Sequence, residues 1–172
     1  MVAGRPVSLA ELADDLAEIT GRIVWSTVST TDRLGRPRAR IMHPVWEIGA
    51  ASVIGFVGTR RTPVKVAHIA RSPWVTCAYW SPDHDAAFLD CHVTWVGAEA
   101  WDRLAAGYDP ATLWPDGPSS PEFAAWELRP YRIQVIRGAD VTAGLPSPIW
   151  TASSTTDTVK TVRDENTMTA EK

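Results

Sequence analysis

Leu9, Leu12, Leu16 and Ile19 recur at spacings of three and four, so a helix over this stretch turns one apolar face to a core. Ser8 and Glu11 frame its start as a capping box, each satisfying a backbone donor of the other. Thr20-Gly21 supplies a glycine C-cap. From Arg22 the period changes. The β-branched and aromatic run 23–30 predicts a strand, Asp32 to Pro37 a turn, and 38–46 and 52–57 two further strands. Pro63 suits the first turn of a helix that Ser72-Pro73 ends. Strands are then predicted over 74–80, 88–99 and 129–137, with a turn at 81–85 and a short helix over 101–108. Pro110, Pro115, Pro118 and Pro121 mark the intervening segment as a loop. Six strands joined mostly by tight turns, without regular helical crossovers, predict a mainly β protein: a six-stranded antiparallel barrel with a few short helices.

Composition narrows the options. The 172 residues fit one domain, read as 1–150, followed by a tail over 151–172 whose threonine and charge predict disorder. A net charge of −3 offers nothing to nucleic acid or to an anionic membrane surface, so any basic site is local. No run approaches the ~20 apolar residues of a membrane span, and the first ten residues do not read as a signal peptide. With two cysteines, Cys77 and Cys91, in apolar strands, the expected compartment is the reducing cytoplasm and the expected thiols are buried and inert. Nine tryptophans are many, and their large apolar bodies suit cores, interfaces and ring-binding pockets.

Two segments carry candidate chemistry. In Arg38-Ala39-Arg40-Ile41-Met42-His43 a period of two puts both arginines on one face, where they repel unless an anion or carboxylate lies between them. In Thr59-Arg60-Arg61-Thr62-Pro63-Val64-Lys65 a strand ends, cations cluster and a helix begins, a setting that favours anions. Taken singly, each segment is equally compatible with a solvated basic surface. The glycines of a nucleoside-triphosphate loop are missing. The acids and histidines at 83–92 lack metal-ligand spacing, and no serine stands in a nucleophile elbow.

The order of these segments resembles the FMN-binding split barrel of the pyridoxamine 5′-phosphate oxidase-like family, over about residues 5–140 and best from Arg36 to Val96. The resemblance implies that the strand holding Arg38, Ala39, Arg40 and Ile41 lies along the flavin. Val57, Gly58 and Thr59 would meet the ribityl-phosphate region, with Lys65 on the phosphate and His92 facing the ring. It also implies a homodimer with the cofactor at the subunit interface and a small-molecule substrate, Trp46, Trp80 and Trp150 being candidate pocket walls. Val64 departs from the arginine that often precedes the phosphate lysine, leaving Arg60 or Arg61 to substitute. The arginine-x-histidine element of true pyridoxamine-phosphate oxidases is not found after Val141, so pyridoxal 5′-phosphate synthesis is not expected. The expected function is FMN-dependent hydride transfer. A deazaflavin-dependent reductase, a non-catalytic flavin binder and a cofactor-free binding barrel are the alternatives.

Overall fold

A computed structural model describes residues 4–153. Strand β1 (Arg5–Pro6) is followed by helix α1 (Leu9–Ile23), then β2 (Ser26–Thr31), β3 (Pro37–Met42), β4 (Val45–Ile48) and β5 (Val53–Thr59). Helix α2 (Pro63–Arg71) leads to β6 (Trp74–Trp80) and β7 (Ala86–Val96), and α3 (Trp101–Ala105) precedes β8 (Ala124–Ile136), α4 (Gly138–Thr142) and β9 (Pro148–Thr151). The mainly β class with short helices holds. The capping box at Ser8 and Glu11 forms as predicted.

Nine strand segments replace the six expected, for local reasons. The predicted strand 38–46 breaks at His43-Pro44: β3 pairs with β2, whereas β4 turns to pair with β5. Pro44 has no N–H for a ladder, so a corner forms there. The last predicted strand begins five residues earlier, at Ala124, because its first half pairs with β5. Helix α1 runs past Gly21 to Ile23 and is capped at Val24. Thr151, placed in the tail by its composition, ends β9, and the Ala152 N–H donates to the Tyr131 carbonyl at 2.9 Å. The rest of the predicted tail, 154–172, lies outside the described residues.

The main sheet runs β1-β9-β8-β7-β6-β2-β3, and β5 joins it on β8. Its pairings are antiparallel except for β1 with β9. Leu12, Leu16 and Ile19 of α1 are fully buried against Val28, Cys77, Leu89, Trp126 and Ile133, each contributing roughly 1.5–3 kcal/mol by burial. Cys77 and Cys91 are free and buried in this core.

Strand alternation places a second, smaller core on the opposite face of β5 and β8. Val57 and Trp126 face the main core, whereas Phe56 and Ala125 pack with Leu104, Trp114 and Phe123. This second core seats the proline-rich segment 109–123 over the end of β5. No helix among the described residues is long and apolar enough to cross a membrane.

Candidate functional site

A cleft of about 760 Å³ opens between β3 and the β5–α2 junction, inside the roughly 300–1,000 Å³ typical of small-molecule and cofactor sites. β3 is the last strand of its sheet path. Arg40, Ile41 and Met42 of this strand line the cleft together with His43, which follows it.

One end is cationic. Arg40, Arg60 and Lys65 line it together with Thr59 and Thr62. Thr62 caps α2 by accepting from the Lys65 N–H, and Pro63 opens the helix, as the sequence predicts. The Lys65 ammonium donates to Thr59 Oγ1 at 2.6 Å. Arg40 Nη1 donates to Thr30 Oγ1 at 3.0 Å. Burial lowers the Lys65 pKa, and the nearby Arg40 and Arg60 charges lower it further. Among the described residues Arg60 has Glu122 at 3.0 Å, while neither Arg40 nor Lys65 pairs with a carboxylate. Two half-buried cations that repel one another call for an anion between them.

The other end is aromatic. The His43 ring lies 5.4 Å from Trp25 and 4.7 Å from Tyr108, centroid to centroid. Burial lowers the His43 pKa and raises that of Tyr108 against a hydrogen bond from the Gly58 backbone. Trp114 completes this wall, held edge-on by Phe123 at 5.1 Å. Its buried Nε1 has no acceptor among the described residues. Gly58 makes the wall possible, since a Cβ there would fall 2.6 Å from Tyr108 Oη and 2.8 Å from Trp114 Cη2. Trp25 reaches the cleft through backbone strain. Val24 sits at φ +65°, ψ −60°, with the Trp25 N–H donating to the Ile23 carbonyl at 2.7 Å. This is the rare form of the γ-turn, which for a β-branched residue costs on the order of 1–3 kcal/mol.

Of the residues singled out by sequence, Arg40, Ile41, Gly58, Thr59, Arg60 and Lys65 meet in the cleft. Four stand outside it. Arg38 turns to Asp32 at 3.6 Å, and Ala39 is exposed beyond the cleft. Val57 alternates into the main core. His92 packs edge-on against Trp74, at 5.0 Å, on the β6–β7 face. The expected tryptophan walls also differ. Trp46 donates to the Tyr79 hydroxyl at the core edge, Trp150 packs on the core and Trp80 is exposed away from the cleft. Trp25, His43, Tyr108 and Trp114 take that role, and a long proline-rich loop carrying a tryptophan was the signal available for Trp114. Among the described residues no three metal-ligating side chains converge.

No family profile and no curated protein matches the chain. Solved structures do. A protein related to general stress protein 26, of the pyridoxinephosphate oxidase family, from Clostridium acetobutylicum superposes with a TM-score of 0.66 at 11% identity, over 83% of this chain and 96% of that one. A pyridoxamine 5′-phosphate oxidase-related, FMN-binding protein from Nostoc punctiforme gives 0.55 at 14%, over 73% and 83%. An F420 reductase gives 0.51 at 15%, over 68% and 94%. The chain therefore has the split-barrel fold of the pyridoxamine 5′-phosphate oxidase-like proteins.

Proposed function

We propose that the cleft binds FMN and that the protein is an FMN-dependent oxidoreductase acting on a small molecule. The observation that carries this is the pairing of an uncompensated cationic end, at Arg40 and Lys65, with an aromatic end at Trp25, His43 and Tyr108, in one cleft of cofactor size. Arg40, Lys65 and Thr59 would hold the phosphate. The Tyr108–Trp114 wall over Gly58 would exclude water from the ring. Bound flavin supplies the hydride chemistry, so binding, orientation and electrostatics fall to the protein. The FMN-binding and F420-reductase neighbours support a flavin or deazaflavin in this fold. FMN is favoured because Arg61 stacks over Trp95 at 4.8 Å and neither Arg61 nor Arg71 lines the cleft. The cations present suit one phosphate better than a long acidic tail.

A homodimer with the cofactor at the subunit interface belongs to the same proposal. Its support is apolar surface in the cleft lining itself, where Ile41 and Trp25 are 65% and 61% exposed and so open to a second subunit. The cytoplasm is the proposed compartment, in keeping with two free buried thiols. An absorbance spectrum of the purified protein, with the released cofactor identified by mass, tests the reading. FMN near one per subunit is expected. A protein that is colourless and takes up neither added FMN nor deazaflavin would overturn it.

A further inference from the structure

Arg40 is a long side chain on an edge strand, with no carboxylate partner among the described residues and two cations nearby. Left alone, such a guanidinium would swing toward water, because burial already disfavours its charge. What holds it is one hydroxyl. Thr30 Oγ1, on the neighbouring strand, accepts from Arg40 Nη1 at 3.0 Å. That same oxygen lies 2.9 Å from Nδ1 of His68, which is only 8% exposed. A hydroxyl has one proton to give. It has two possible acceptors here, the His68 ring nitrogen at 2.9 Å and the Arg38 carbonyl at 3.4 Å. With either His68 tautomer, the Thr30 hydroxyl bridges the ring nitrogen and the Arg40 guanidinium. The resulting link runs from Arg40 through Thr30 to His68.

His68 also lies on α2, three residues after Lys65, so both side chains project from the same helix face. Lys65 reaches Thr59 at the end of β5, and His68 reaches Thr30 in β2. These strands belong to separate pairings, β5 to β4 and β8, β2 to β3 and β6. Helix α2 therefore ties the two halves of the cationic pocket across the split in the barrel.

We propose that His68 is a positioning residue for the phosphate end of the cleft: through Thr30 it fixes the Arg40 guanidinium at the distance set by Lys65 on the same helix. This rests on the FMN reading above. It assigns a role to a buried histidine that does not itself line the cleft.

The test compares FMN with riboflavin, which lacks the phosphate, by fluorescence titration of the full chain. His68→Phe should weaken FMN about tenfold or more while changing riboflavin affinity less than about twofold, because only the phosphate contact depends on Arg40. His68→Asn returns a hydrogen-bonding amide near the position of Nδ1 and should restore FMN binding to within about threefold of the parent. Thr30→Val keeps the side-chain shape, removes the link, and should match His68→Phe. If His68→Phe does not fold, the Asn and Val variants decide alone: both binding FMN like the parent, or both losing it equally, overturns the relay. Equal loss of FMN and riboflavin in His68→Phe overturns it too, since that is the mark of a purely structural histidine. A parent protein that binds FMN no better than riboflavin overturns the phosphate assignment itself, a result distinct from failure of the relay.

Discussion

Two groups of basic side chains are treated very differently by this fold. Arg22 and Arg137 sit among four carboxylates. Arg22 reaches Glu18 at 2.7 Å, Asp83 at 3.2 Å and Asp85 at 2.8 Å, while Arg137 reaches Asp15, Glu18 and, at 2.7 Å, Asp85. Asp85 also accepts from the Gly138 N–H at 2.9 Å. This network clamps α1, the β6–β7 turn and the end of β8 together. Arg40 and Lys65 receive hydroxyl partners instead, and the Lys65 pKa is lowered first by burial and then by the Arg40 and Arg60 charges. A cluster that is neutralised internally serves the fold. A cluster left positive at a cleft wall is poised for an anion, because its field is spent on no internal partner.

The comparison breaks most visibly in the ligand site. Arg40→Ala combined with Lys65→Ala removes two charge-assisted contacts worth about 1.5–3 kcal/mol each, so FMN affinity should fall at least ~100-fold. The cofactor-free double variant should melt no lower than the parent, since it relieves repulsion between like charges. Retained FMN affinity in a titration would remove these residues from the phosphate site. The opposite pattern is expected of Arg137→Ala. It leaves Asp15 without its arginine and Glu18 and Asp85 with Arg22 alone, and should cost about 1–3 kcal/mol of stability, a drop of several degrees in thermal melting for a domain of this size. FMN affinity should stay within about twofold.

The sequence carried these two clusters unequally. Lys65 was legible because helix capping is local: Thr62-Pro63 starts α2, and a lysine two residues on stands in its first turn. Arg40 was legible only as one of a pair with Arg38, since alternation gives both the same face and does not say which one Asp32 takes. The clamp was not legible, because Asp15 and Arg137 meet across more than a hundred residues of chain. The aromatic wall was hidden for a similar reason. Trp25 depends on a left-handed turn at Val24 that no β-branched residue advertises. His43 depends on a strand break at Pro44, where apolar periodicity reads straight through. Tyr108 and Trp114 depend on a second core that forms only once β5 and β8 pair. His92 illustrates the converse. Its place in β7 was read correctly from the strand, yet the cleft lies at another part of the barrel.

The smallest expected effect sharpens the contrast from a third arginine group. Asp32 accepts from the N–H groups of Leu34 and Arg36, at 2.8 and 3.0 Å, and takes Arg36 and Arg38 as ion partners. Burial by itself would raise its pKa, but these donors outweigh burial and hold it at about 2, below the ordinary 3.8. Because the folded carboxyl is the more acidic, its stabilisation is complete above the unfolded value near 4. It fades as pH falls toward about 2. Asp32→Ala should therefore melt below the parent at pH 7, with the gap closing through that acid window in a series of thermal melts. A gap that stays constant down to pH 2 would mean that the carboxylate charge is not what orders the β2–β3 turn. Its FMN affinity should change by less than about threefold, because Arg38 is held by Asp32 while Arg40, two residues on, is held by Thr30.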